Sequence, residues 1–523
     1  MVAPTPSSSS AQDPSLALLA RMLPHLDRQL VLPLLDFLES REKYAHDDVL
    51  RAKIDLLGDG KTNMVTFVES LKRELEGKDE GEEVEGAAEF RKREQEVVKS
   101  LNELQAQAKE VMDIISNPEV VSALRQDKQH NLTYLKDNHG VSLEQINFLY
   151  KFGQFQFSIG QYGGASDYLY HFRVLSTDSQ LVLSAMWGKL ASDILEGSWD
   201  AALEELNNLR EHIDQRGASG PGGPLFSLQQ RTWWLHWSLF VYYNHPNGRE
   251  LLLESWLNQN LLNTMQTAAP WLLRYLVAAV VISRKSTLRQ AGPASAGNSA
   301  RSREAVRDVV RALGQEQYQY HDAVTEFLRK LYGEVDFEGA REEMSRCDAA
   351  ELDDDFFLEA HKGDFVENAR YLVSEAYCKI HHRIDIGELS DRLGLSREEG
   401  ERWIVDLVRD ARLDAKIDLK ENIVQMNHAD TPVYQSVIEK SRGLLFRSQA
   451  MASAIEVRAA GGQPDRESQQ RFGGRTTGGG QRKGPGGGAA GAQRQQQQQP
   501  QGGGDKKGEA QGAGDAPAPA VEA

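Results

Sequence analysis

Ile384-Asp385-Ile386, Gly387 to Leu393, Ser396 to Arg412, then Ala415-Lys416-Ile417-Asp418-Leu419 and Asn422-Ile423-Val424-Gln425-Met426 form the stretch on which the reading of this chain turns. The first three residues alternate like a short strand. Leu389 and Leu393 then stand one helical turn apart. Ser396, with Glu399 three residues on, is a capping-box signature, and Ile404, Leu407, Val408 and Ala411 make the inner face of the helix it opens. Two alternating runs around Lys420-Glu421-Asn422 predict a hairpin. Strand, helix, helix, hairpin is the order of a winged helix, a small α+β domain over residues 383–430.

Upstream, residues 131–382 carry a helical period and a weak repeat. Leu143, Ile146, Leu149, Tyr150, Gly153 and Phe157 mark one helix face. Ala165, Tyr168, Leu169 and Phe172 mark a second, at i, i+3, i+4, i+7. Leu183, Met186, Trp187, Leu190 and Ile194 mark a third, and Ala202, Leu206, Leu209 and Ile213 a fourth. A Gly-x-aromatic-x-x-Ala signal occurs at Gly160 and again at Gly197, 37 residues later. Glycine permits a tight inter-helix turn, the aromatic ring wedges between hairpins, and alanine lets helices approach. The spacing is near the ~34 residues of a tetratricopeptide-like hairpin, with echoes at Asp336 to Ala340 and Gly363 to Phe365. The expectation is a right-handed stack of helical hairpins, interrupted by Gly/Pro/Ser loops at 215–224 and 290–302.

Residues 16–125 read as a further helical region. Pro33 is expected to kink or end a helix in the apolar run Leu26 to Leu38. Lys53 intrudes on the apolar face of Asp47 to Leu57. Glu74 to Glu89 holds eight acids against one lysine and reads as a solvated linker before a long charged helix, Phe90 to Ile115. Residues 1–15 are Ser/Pro-rich and expected to be disordered, with no signal-sequence pattern. At the other end, Val433 to Arg458 reads as one helix. Val437, Ser441, Leu444, Ser448, Met451 and Ile455 give it a narrow, partly polar stripe suited to a seam against other helices. Residues 459–523 hold 18 of the 45 glycines and a glutamine run at 495–499, too little apolar area to offset chain entropy. The fold class is mainly α: a hairpin solenoid, a winged helix, a C-terminal helix and a disordered tail.

The formal net charge is −17, and the tail is slightly basic, so residues 1–458 stand near −19. A body this acidic is poorly suited to general phosphate binding. Two cysteines, Cys347 and Cys378, exclude a disulfide scaffold. Trp271 to Ile282 is apolar but only 12 residues long and contains Arg274, short of the ~20 that cross a bilayer. It reads as a buried helix.

Motifs that could carry chemistry do not close. Gly58-Asp59-Gly60-Lys61-Thr62 resembles the end of a phosphate loop, but position 55 is Asp where the pattern requires glycine. Cys378 and His382 share a helix face with His381 adjacent, without a fourth ligand. Asn131-Leu132-Thr133 reads as an incidental glycosylation match. Asp353-Asp354-Asp355 lacks the glycine and terminal glutamate of a calcium loop and reads as a solvated acidic turn. No nucleophile–base or paired-carboxylate set appears, so no enzyme, cofactor or metal is expected. The helix Ser396 to Arg412 carries four arginines (397, 402, 409, 412) against five acids (398, 399, 401, 406, 410). A helix docking into a nucleic-acid groove should be clearly positive. A protein-contacting wing is favoured, adding its strands to a partner's sheet.

Helical hairpins running into a winged helix and a C-terminal helix resemble a PCI domain, the module shared by the proteasome lid, the COP9 signalosome and an initiation factor. Leu26 to Leu38, Ala52-Lys53-Ile54-Asp55-Leu56-Leu57, Lys61-Thr62-Asn63-Met64-Val65, Asn147 to Gly153 and Gly160-Gln161-Tyr162 resemble the e-subunit family of eukaryotic translation initiation factor three. The resemblance implies a non-catalytic cytoplasmic scaffold subunit. It would join other PCI and MPN subunits through its wing and its C-terminal helix, in a complex that binds the small (40S) ribosomal subunit and promotes recruitment of mRNA and initiator methionyl-tRNA. The candidate interface residues are Ile417, Leu419, Ile423, Val424, Met426, Val437, Leu444, Met451 and Ile455. The alternatives are a lid or signalosome subunit, or a winged-helix nucleic-acid binder using Arg284, Lys285, Arg289, Arg301, Arg303 and Arg307. Neither a membrane nor a small-molecule ligand is expected, and any RNA contact is weak.

Overall fold

The computed structural model describes residues 14–41, 43–58, 60–78, 86–115, 128–141, 143–217, 222–289, 296–394, 396–410, 414–418, 421–427 and 433–459. Two units separate, 1–429 and 430–523. The first begins with α1 (Pro14–Met22), α2 (Leu32–Ser40), α3 (His46–Leu57), α4 (Val65–Leu75) and α5 (Ala87–Ile115). Pro33 occupies the first turn of α2 and so starts a helix; a missing N–H costs nothing there. Lys53 is buried because its ammonium bonds Asp36 at 2.6 Å and Glu39 at 2.5 Å. Burial pushes its pKa down, but the two carboxylates outweigh this and hold it above the ordinary lysine value.

The hairpins follow as α6 (Lys128–His139), α7 (Leu143–Ile159), α8 (Tyr162–Leu175), α9 (Ser179–Glu196), α10 (Trp199–Arg216) and α11 (Gly223–Asn244), and from α7 to α11 each helix packs on the next. The repeat signal has the expected geometry. Gly160 (φ +98°) and Gly197 (φ +81°) take left-handed conformations at their turns, and Ala165 and Ala202 are fully buried. Every residue marked on α9 and α10 is buried. On α7 the face differs slightly: Leu143 is exposed and Phe152 is buried in its stead.

The stack continues through α12 (Gly248–Trp256), α13 (Gln259–Ala268), α14 (Leu273–Arg289), α15 (Ala296–Glu316), α16 (Ala323–Arg329), α17 (Phe337–Arg346) and α18 (Lys362–Ile380). Residues 296–302, expected in a loop, begin α15. Helix α14 packs against α12, α15, α16 and α18. That surrounding explains why Leu272 to Ile282 is buried and, apart from Arg274, apolar on every face. Among the described residues no helix is long and apolar enough to cross a membrane.

Arg274 in this core and the acidic turn at 353–355 explain each other. Arg274 Nε donates to Asp355 Oδ2 at 2.9 Å, Nη2 donates to the Glu351 carbonyl at 2.7 Å, and Nη1 bonds Asp322. The turn is therefore not simply solvated. Asp355 is buried, Asp353 pairs with Lys362 at 2.8 Å, and Asp354 pairs with Lys43.

The N-terminal segment is fastened across the repeats. Met22 Sδ accepts from the Tyr275 hydroxyl at 3.8 Å, and the His25 carbonyl accepts from Trp237 Nε1 at 3.0 Å. Gln29 donates to the Phe157 carbonyl, Phe37 meets Phe356 edge-on, and Arg41 pairs with Glu359. His25 stacks on fully buried His236 with centroids 4.5 Å apart. His236 Nδ1 lies 2.7 Å from the Thr232 carbonyl, and Nε2 accepts from Trp271 Nε1 at 3.1 Å. That pattern selects the neutral Nδ1–H tautomer. Burial lowers the pKa of His236 to about 3 from an unfolded value of 6.5. Above pH 6.5 both states are neutral and the stability is fully present. As the pH falls, the unfolded chain takes up the proton first, and the contribution is gone below about pH 3. Chemical unfolding is expected to show a loss of about 2 kcal/mol from this residue between pH 6.5 and 5. In a His236→Gln chain the pH slope should flatten by that amount.

Helix α18 leads into β1 (Arg383–Asp385), α19 (Ile386–Leu393), α20 (Arg397–Asp410), β2 (Ala415–Asp418) and β3 (Ile423–Met426). The sheet is antiparallel, in the order β1-β3-β2. The capping box closes: Ser396 N–H donates to Glu399 Oε2 at 3.1 Å, and the Glu399 N–H to Ser396 Oγ at 3.4 Å. Asn422 takes the left-handed conformation (φ +57°) in the hairpin turn. Gly400 lets α20 lie on α19, since a Cβ there would fall 1.8 Å from Ser390 Oγ. Ile384, Leu389, Leu393, Ile404, Leu407, Val424 and Met426 belong to the same apolar cluster as the repeats. Trp403 Nε1 also donates to Ser374 Oγ on α18 at 3.1 Å. The wing is thus an extension of the stack.

In the second unit, α21 spans Val433–Ala459. The Gly/Gln-rich tail and residues 1–13 lie outside the described residues.

Candidate protein-interaction surfaces

With β3 in the middle, β2 is an edge strand. Its register against β3 is Ala415↔Met426, Lys416↔Gln425, Ile417↔Val424 and Asp418↔Ile423. The other edge of β2 pairs with no described strand, so a row of backbone donors and acceptors is available there. The side chains sort by pleat. Val424 and Met426 are 1% and 6% exposed and belong to the chain's own core. They therefore cannot serve as contact side chains. Ile417 is half-buried against that core and Ile423 is half-buried. Lys416 and Asp418 point outward, and Leu419 lies outside the described residues. What this edge offers a partner is backbone, flanked by one charge of each sign.

On α21, Val437, Leu444, Met451 and Ile455 are 54%, 63%, 65% and 66% exposed. They share one face with Val433. At about 100° per residue, Tyr434, Ile438 and Leu445, all exposed, extend this face to an arc of about 140°. The narrow stripe read from the sequence is one flank of a broader apolar surface. Tyr434 and Ile438, four residues apart, and Leu445, seven beyond Ile438, are the signal that widens it. An arc this wide suits a helix held by more than one neighbour.

Most of the basic residues offered for nucleic acid lie outside the described side chains. Arg307 is exposed, while the side chains of 284, 285, 289, 301 and 303 fall outside the described set. On α20, Arg409 is paired with Asp406 at 2.7 Å, and Glu399 is held below the ordinary carboxylate range by the Ser396 hydroxyl and N–H. The phosphate-loop look-alike is a structural corner. Thr62 Oγ1 donates to the Leu57 carbonyl, Arg93 to the Thr62 carbonyl, and Asn63 bonds Ser158 by backbone and side chain. Cys347 and Cys378 are buried with thiol pKa values pushed up by burial, Cys378 to about 12. Asn131 is buried, which removes it as a glycan acceptor. Among the described residues no group of three or more His, Cys, Asp or Glu side chains could hold a metal.

Two family models match the chain: an eIF3 subunit 6 N terminal domain over residues 17–156, and a PCI domain over 344–428, which takes in the winged helix. The E subunit of eukaryotic translation initiation factor 3 from Botryotinia fuckeliana is 43% identical over 438 residues, covering 84% of this chain and 92% of that protein. Its counterpart from Pyricularia oryzae is 44% identical over 461 residues, covering 86% and 99%. The chain belongs to the E-subunit family of eukaryotic translation initiation factor 3. These relatives match along nearly their whole length, and the open sheet edge lies within the residues that match the PCI domain.

Proposed function

We propose that this chain is a non-catalytic scaffold subunit of a cytoplasmic eukaryotic initiation factor 3 complex. Through that complex it contributes to binding the small ribosomal subunit and recruiting mRNA and initiator methionyl-tRNA. The observation that carries the reading is the 43–44% identity to E-subunit proteins across 84–86% of the chain. The open edge of β2 supports it, because an unpaired strand gives a neighbouring PCI subunit a template for sheet extension. The apolar arc of α21 supports it as well, since a solvent-facing helix of this character gains by joining a bundle. Affinity purification of the endogenous protein followed by mass spectrometry is expected to return PCI and MPN subunits together with small-subunit ribosomal proteins. Co-migration with proteasome-lid or signalosome subunits, and without ribosomal proteins, would overturn it.

A further inference from the structure

Four basic side chains converge on the turn between α8 and α9. Lys128, at the start of α6, donates to the Ser176 carbonyl at 3.1 Å. Arg216, at the end of α10, donates to Ser179 Oγ at 2.9 Å. Arg173, in the last turn of α8, places Nη1 on both oxygens of Glu205, at 2.6 and 2.7 Å. His212 lies one turn before Arg216, and its Nε2 is buried with no hydrogen-bond partner. Neither Lys128 nor Arg216 has a carboxylate within ion-pair distance among the described residues. The two acids at hand are already engaged: Glu205 holds Arg173, and Asp178 caps α9 by accepting from Gln180 N at 2.9 Å and Leu181 N at 3.3 Å.

The groups repel one another. Burial and then Arg173 push the Lys128 pKa down, and burial followed by Arg216 and Lys128 lowers that of His212. Lys128 and Arg216, half-buried like charges with no carboxylate in ion-pair distance among the described residues, are unfavourable neighbours unless an anion joins them. We propose that this cluster is a binding site for a phosphate monoester carried by a partner protein. A phosphomonoester brings close to two negative charges and three acceptor oxygens on one compact group. That suits an ammonium, a guanidinium and an orphaned imidazole nitrogen around one turn. An RNA strand fits less well, because Asp200, Glu204, Glu211 and Asp214 are exposed along α10 and would repel a continuous line of phosphates.

The test uses the full-length chain at constant ionic strength. The probes are inorganic phosphate, a five-residue glycine/alanine peptide with a central phosphoserine, its unphosphorylated twin, and a single-stranded oligouridine. Phosphate and the phosphopeptide should raise the melting temperature of the wild type, and calorimetry should show the phosphopeptide bound and its twin not. In the Lys128→Gln/Arg216→Gln chain, phosphopeptide affinity should fall at least tenfold, while the melting temperature in phosphate-free buffer stays equal or rises because repulsion is relieved. Four results would overturn the proposal. The double variant could melt lower without phosphate, which marks a structural role. Phosphopeptide affinity could be the same in both chains. Free phosphate alone could bind, which marks an adventitious ion only. Oligouridine could bind through these residues while the phosphopeptide does not, which marks an RNA site.

Discussion

Replacing Arg274 with Met is expected to remove about 3–5 kcal/mol of folding free energy, measured by chemical unfolding of the purified chain. The guanidinium is surrounded by protein. It pairs with both Asp355 and Asp322 and donates to the Glu351 carbonyl. Asp322 also caps α16, accepting from Thr325 N at 2.8 Å, so the ion pair fixes the start of that helix. With Met in place the side-chain volume is roughly kept, and what remains is uncompensated negative charge in a dry core. The sign of the pH response follows. Burial raises the pKa of Asp355, opposed in the wild type by Arg274. Without Arg274 the neutral acid is favoured further, so the variant's deficit should shrink as the pH falls from 7 towards 5 and grow as it rises. Adding Asp355→Leu should recover part of the loss, because removing both partners of a buried pair costs less than removing one. A deficit below about 1 kcal/mol, against the 3–5 expected for an orphaned buried charge, would show that the network contributes little.

The second large effect concerns assembly. A Leu444→Asp/Met451→Asp chain should co-purify with its partner subunits at least tenfold less than the wild type, while the main thermal transition of residues 131–430 is unchanged. Both side chains stand on the exposed apolar arc of α21, so aspartate there meets only water in the free chain. Pressed into a helix–helix contact, each carboxylate would have to be desolvated or neutralised, at a cost of several kcal/mol. The two readouts separate association from folding. Unchanged recovery of partner subunits would remove α21 from the interface.

Much of the architecture was legible because local rules and tertiary packing agree. The Gly160 and Gly197 repeats are turn chemistry that any helical hairpin needs. The Ser396–Glu399 capping box and the Asn422 turn are set within a few residues of chain. The winged-helix order followed from such signals alone. The interface reading was legible only in part. Alternation along β3 marks Ile423, Val424 and Met426 as apolar strand residues, and a strand with one buried face reads the same whichever partner buries it. Val424 and Met426 join Leu389, Leu393, Ile404 and Leu407 in the chain's own core, which leaves the backbone edge of β2 as the feature a partner can use.

Periodicity and turn residues determined by themselves that this chain would be stacked helices ending in a winged helix, because 3.6-residue spacing, caps and glycine turns act over one or two turns of chain. Only the tertiary structure decided what the charged exceptions do. Lys53 meets Asp36 and Glu39, Arg274 meets Asp322 and Asp355, and Lys128 donates to the Ser176 carbonyl in the turn beside Arg173. Whether a buried charge is neutralised or left wanting depends on groups tens of residues away, and desolvation makes that difference worth several kcal/mol.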